Sequence, residues 1–221
     1  MIEVWGRRSS INVQKVMWAI AELGLPFKRH SVGGSFGGNN SADYLAMNPT
    51  GLVPVIRDGD VTMFESNAIV RYLAQRYGEG GLQPAAPKAR AAAEQWMEWQ
   101  QLAAAPVVSA IFWNTVRLPA DKCDHNAIAK AQEKLQGEVL PIAETALEDR
   151  VWFAGDAFSF GDIVLGAFIW RYRQIEGSAL EFPNLQRWFA ALQTRQPYRD
   201  WVMVPIGRSL DEWNIHEREL A

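Results

Sequence analysis

The sequence predicts an α/β unit followed by an all-helical one, and three observations carry that expectation. Short apolar, β-branched runs alternate with one helical pattern in the first third of the chain. A stretch rich in glycine and proline, from Gly78 to Lys88, then breaks the pattern. Beyond it every apolar spacing is helical. We expect domains at residues 1–79 and 88–221.

Ile2 to Gly6 reads as a short buried strand, and Arg7-Arg8-Ser9-Ser10-Ile11 as a polar turn. A helix from Asn12 to about Leu23 comes next, with Val13, Val16, Met17, Ile20 and Leu23 on one stripe and Gly24 and Pro26 as its stop. Phe27 to Val32 is the second strand, and a strand-helix-strand opening implies a right-handed parallel crossover. Gly33 to Asn40 is too glycine-rich for regular structure.

Gly51-Leu52-Val53-Pro54-Val55-Ile56 is the stretch around which the α/β unit is organised. A proline ahead of a β-branched run cannot donate to a sheet ladder, so Pro54 belongs at a strand start. Val53 is held extended, and its amide and carbonyl are free to pair with an extended, peptide-like ligand. A cis Val53–Pro54 bond would present them outward. Arg57-Asp58-Gly59-Asp60 signals a tight hairpin. The returning strand ends at Glu65-Ser66, where Ala68, Ile69, Tyr72, Leu73 and Arg76 begin a helix with Ser66 expected as N-cap. There the helix amides and Ser66 suit a carboxylate, and Glu65 suits a neighbouring ammonium. A site of that kind reads the free amino-acid end of a short peptide.

These motifs, Asn48-Pro49-Thr50-Gly51-Leu52-Val53-Pro54 and Glu65-Ser66-Asn67-Ala68-Ile69, resemble the glutathione-binding half of glutathione transferases. The resemblance implies a thioredoxin-like domain with a mixed four-stranded sheet, an all-helical transferase domain after it, and a homodimer. It also implies a cis Pro54, with Val53 on the cysteinyl backbone of glutathione and Glu65 and Ser66 on its γ-glutamyl end. Thioredoxins and cysteine-type transferases carry a cysteine in the first turn, whereas here none precedes Cys123, so exchange by a protein dithiol is excluded. Arg8-Ser9-Ser10-Ile11-Asn12-Val13-Gln14-Lys15 instead resembles bacterial transferases with a Ser or Thr, then Asn, then Lys. That match puts Ser10 at the thiolate-activating position, with Asn12 as helper and Ser9 as the alternative.

In the helical part, helices are expected from about Lys88 with a kink at Pro106, and from about Asn126 to Leu147 with an interruption at Pro141. Ser159-Phe160-Gly161-Asp162 reads as a capping box, making Asp162 structural. Pro183 to Leu192 forms a further helix, and the segment from Arg199 is left unassigned. The resemblance places a second-substrate pocket against these helices, with Ile11, Phe36, Phe112, Trp113 and Arg117 as candidates. Arg117 could attract an anionic substrate.

Composition narrows the partners. A net charge of −3 with no basic stripe argues against nucleic acid. No apolar run approaches the ~20 residues of a membrane span. Met1-Ile2-Glu3-Val4-Trp5 lacks a basic n-region, and the single cysteine, Cys123, an expected exposed bystander, fits a reducing cytoplasm. The histidines, His30, His125 and His216, have no metal-ligand spacing, so no metal is expected. The function expected is transfer of glutathione to a small hydrophobic electrophile. The alternatives are a glutathione-dependent disulfide reductase or peroxidase and a non-catalytic glutathione-binding module.

Overall fold

Ile2 and Val4 are buried while Glu3 and Trp5 are partly open, the alternation of a strand with one face on the core. This strand, β1 (Ile2–Trp5), lies at the heart of the computed structural model, which describes residues 1–176 and 181–220. The expected helical domain, 88–221, runs over residues 177–180 and 221, which lie outside the described residues.

Helix α1 (Ile11–Glu22) crosses from β1 to β2 (Phe27–His30), which pairs parallel to β1. A short helix, α2 (Ala42–Met47), leads to β3 (Val55–Asp58) and β4 (Val61–Phe64), an antiparallel hairpin whose Gly59 has φ +64°. The sheet order is β2-β1-β3-β4, with Val4 opposite Ile56 and Trp5 opposite Val55. This is the expected mixed four-stranded sheet, closed by α3 (Ser66–Tyr77). The Gly33–Asn40 loop is not wholly irregular: Gly34–Phe36 makes one 3₁₀ turn.

The helical part comprises α4 (Pro87–Trp99), α5 (Ala105–Phe112), α6 (His125–Lys134), α7 (Leu140–Ala146), α8 (Phe160–Glu176), α9 (Pro183–Gln193), α10 (Gln196–Trp201) and α11 (Leu210–Glu219). Pro106 and Pro141 each follow a π turn, Gln100–Ala104 and Leu135–Val139. A proline ring clashes with the carbonyl four residues back and donates nothing, and the wider turn absorbs both defects. The segment after Arg199 is largely helical, and α11 carries a capping pattern of its own: Ser209 Oγ accepts from the Glu212 amide at 3.2 Å.

Helix α1 is the hinge of the architecture. It packs on α3 along one side and on α8 and α10 along another, so Val13 to Ile20 are all buried. The core is continuous from the sheet through α1 into the helices. Arg195 clamps α1 from the far end, its Nε and Nη2 donating to Glu22 at 2.7 and 2.6 Å. The expected box at Ser159 forms: Asp162 accepts from the Ser159 amide and hydroxyl, the Phe153 amide and Trp188 Nε1.

Candidate active site

The first turn is drawn tight by backbone bonds to the strand beside it: Gly6 N–H donates to His30 O at 2.9 Å and Arg7 N–H to Val32 O at 3.0 Å. Only glycine fits at position 6, because a Cβ there would lie 2.4 Å from Val13 Cγ2. The chain enters α1 with Ser9 bonded to the helical part and Ser10 lining the cleft against it.

The two serines differ in what they do. Ser9 Oγ donates to Glu217 Oε1 of α11 at 2.9 Å, and its carbonyl accepts from Arg171 Nη2 of α8 at 2.8 Å. Ser10 stands at the N-cap of α1 in extended conformation, yet its hydroxyl makes no capping bond. It lines a cleft of about 270 Å³ together with Asn12, Val53, Phe112, Arg117 and Trp213. Asn12 accepts from Ser66 Oγ at 3.2 Å, which joins the starts of α1 and α3.

The loop carrying Val53 is built by Asn48. Its Oδ1 accepts from the amide and hydroxyl of Thr50 at 3.0 and 2.7 Å, and its Nδ2 donates to Leu52 O at 2.8 Å. Tyr44 Oη donates to the same carbonyl, and Asn39 Nδ2 holds Gly51 O at 2.7 Å. Asn39 thus serves the loop even though it also lines the cleft. The Val53–Pro54 peptide is cis. The ladder begins at Val55, and Val53 N–H and C=O have no partner among the described residues.

Ser66 is the first residue of α3, not its N-cap; Glu65 occupies that position with φ +70° and no side-chain cap. The reason is the sharp turn out of β4, which the Glu65 backbone itself absorbs. Pro54, Glu65 and Ser66 lie outside the lining of the cleft; Ser66 reaches it through Asn12, while Glu65 is exposed. Beneath them Lys15 is fully buried, donating to Asn67 Oδ1 at 2.7 Å; burial pulls its pKa down to about 7 against the raising charge of Glu65.

Of the second-substrate candidates, Ile11, Phe112, Trp113 and Arg117 line the cleft and Phe36 does not. The unexpected wall is α11. Trp213 faces the cleft, and Glu217 binds Arg7 Nε at 2.9 Å and the Ser35 amide at 3.0 Å as well as Ser9. Burial would raise the Glu217 carboxyl, but the bonds from Ser35 and Ser9 and the Arg7 charge hold it below the usual carboxylate range. Cys123 is away from the cleft and half-buried rather than exposed, donating to Pro119 O at 3.4 Å. Among the described residues no three His, Cys, Asp or Glu side chains cluster as metal ligands. No helix among the described residues is long and apolar enough to cross a membrane.

Comparison with known proteins finds relatives for both halves of the chain. The glutathione S-transferase N-terminal domain model matches residues 5–81, and the C-terminal domain model matches residues 104–196. The chain is 40% identical over 209 residues to the glutathione S-transferase GstB of Escherichia coli strain K12, covering 94% of this chain and 100% of that one. It is 30% identical to glutathione S-transferase 3 of Zea mays, over 93% of this chain and 95% of the relative. Among solved structures it resembles the theta class glutathione S-transferase of Xanthomonas axonopodis pv. citri with glutathione bound, at TM-score 0.87 and 42% identity, covering 93% and 99% of the two chains.

Proposed function

The chain belongs to the glutathione S-transferase family, and we propose that it activates glutathione through the Ser10 hydroxyl and delivers the thiolate to a hydrophobic electrophile held against the helical domain. The observation that carries this reading is the contrast between the serines: Ser9 Oγ donates to Glu217, whereas the Ser10 hydroxyl faces the cleft, accepts no capping bond and donates to no acceptor among the described residues.

A free thiol titrates near ~8.5, and lowering it by one pH unit requires ~1.4 kcal/mol. A hydrogen bond to a charged group supplies ~1.5–3 kcal/mol, enough for one to two units. The N-terminus of α1 adds to this. Val53 N–H and C=O bind the cysteinyl backbone as an added strand would. The γ-glutamyl carboxylate takes the unpaired amides that open α3 and the Ser66 hydroxyl, which turns to it from Asn12, and Glu65 takes the ammonium. The thiol proton leaves to solvent. The sulfur lone pair then forms the new C–S bond as the bond to the leaving group breaks, and that group departs with the bonding pair. The reading carries a cytoplasmic homodimer with it.

The test is the ultraviolet thiolate band of bound glutathione, titrated against pH. Wild type should show a depressed pKa and Ser10→Ala a return toward the free thiol, with affinity little changed. Ser66→Ala should do the opposite, weakening binding about tenfold while leaving the bound pKa low. An unaltered titration in Ser10→Ala would pass the role to Ser9 or Asn12. Turnover of an aryl halide against a small disulfide separates transfer from disulfide reduction.

A further inference from the structure

We infer that this cleft selects electrophiles carrying a carboxylate or similarly compact anionic group, received by Arg117 and Arg171; the inference rests on the transferase reading above. The chain as a whole is acidic, with a net charge of −3. The lining of the cleft is the reverse, with Arg7, Arg117 and Arg171 and no Asp or Glu. Glu217 of α11, outside that lining, makes its ion pair with Arg7. Arg117 and Arg171 have no carboxylate within ion-pair distance among the described residues.

Both cations are held in place by aromatic faces. Arg117 lies 5.1 Å from the Trp113 ring and 4.6 Å from the Trp213 ring. Arg171, only 3% exposed, lies 4.6 Å from Phe112 and 5.6 Å from Trp213. A guanidinium stacked on rings is stabilised through its faces and keeps its N–H edges for an in-plane acceptor. Arg171 Nη2 already donates to Ser9 O at 2.8 Å and to Gln14 Oε1 at 3.3 Å, but the other edges are not fully satisfied within the protein. Arg117 Nε, Arg171 Nε and Trp213 Nε1 are all buried and without a hydrogen-bond partner.

Every one of these orphaned groups is a donor, and all three residues border the same cleft. An orphaned buried donor is costly, so the arrangement favours a ligand that brings acceptors alone. An ionised carboxylate is that ligand. A neutral aryl halide brings apolar surface for Phe112 and Trp113 but leaves the donors unpaired. Burial and the mutual repulsion of the arginines pull the Arg171 pKa down to about 9, which leaves it cationic at neutral pH. The bond changes are those of the transfer itself: C–S forms, the carbon–halogen bond breaks and halide leaves with its electron pair, the carboxylate remaining a spectator held by the arginines.

Iodoacetate and iodoacetamide share a reacting carbon and a leaving group and differ only in charge. Wild type should show a higher kcat/KM for iodoacetate, relative to the uncatalysed rates. Arg117→Met should lower the iodoacetate value about ten- to hundredfold and the iodoacetamide value by a clearly smaller factor. Arg117→Lys should recover part of the loss. Binding of the two conjugates gives a readout independent of turnover, with wild type expected to hold S-carboxymethylglutathione more tightly than its amide. Equal losses with both electrophiles would overturn the inference. So would a rise in the glutathione KM that accounts for the loss, since it would assign Arg117 to a carboxylate of glutathione. Equal affinity for the conjugates, with aryl halide turnover intact, would sink the inference alone. Preference for the carboxylate conjugate without turnover of any electrophile would leave the anion pocket and remove the transferase reading.

Discussion

Lys15 has no exposure to solvent, and its ammonium meets one side-chain oxygen, Asn67 Oδ1. With its folded pKa near 7 and an unfolded value of ~10.4, the unfolded chain holds a proton that the folded chain has released across that window. Stability therefore rises with pH from about 7 upward, and below 7, where both states are protonated, the full burial cost is present. The unfolding free energy of wild type from urea titrations should climb by about 2 kcal/mol between pH 7 and 9, and Lys15→Met should flatten that climb. Lys15 closes the Ser10-Asn12 motif, but no local pattern announces its burial. Lys15 falls off the stripe of Val13, Val16, Met17 and Ile20, which for a surface helix means solvent, and only packing on both sides of α1 buries it. The same blindness applies to Glu217, whose partners Arg7, Ser9 and Ser35 stand at the opposite end of the sequence. By contrast the cis Val53–Pro54 turn and the strand-to-helix junction at Glu65-Ser66 are legible because backbone chemistry there is local, although the N-cap falls on Glu65 rather than Ser66.

At the scale of elements, local signals did well where one segment satisfies itself. The hairpin at Gly59 and the box at Ser159 need only their own residues. Asp162 is the sharper case, since it also receives Phe153 and Trp188 from neighbouring segments. Asp162→Ala would leave four buried donors without an acceptor, each costing about 1–3 kcal/mol before relaxation. A net loss of about 3–5 kcal/mol is expected, seen as a steep drop in thermal midpoint, with Asp162→Asn recovering part of it. Helices broken by proline were placed but not shaped. A π turn is a response to a defect, and the sequence states the defect, Pro106 or Pro141, without the remedy. The start of α11 was within reach, because Ser209-Leu210-Asp211-Glu212 has the spacing of a capping box. What it faces was not.

Across the whole molecule, α1 fixes the sheet and the helices in one frame, reinforced by the Arg195–Glu22 pair and by Arg171 on Ser9 O. The cleft is therefore shaped by both halves, which is why composition alone could not describe it. The proposed homodimer is tested by sedimentation equilibrium, where a species near twice the 24.8 kDa of the chain is expected and a species of single mass would remove it.

Glu217 closes a loop of 208 residues when it meets Ser9. During synthesis the ribosome delivers Arg7, Ser9 and Ser10 early, and the α/β half has all its strands long before α11 exists. The nascent chain therefore carries the Ser9-Ser10 turn with one wall of its cleft missing, and Arg7 without its counter-charge. The complete cleft exists only once α11 has been made and has folded back onto the first turn of the chain.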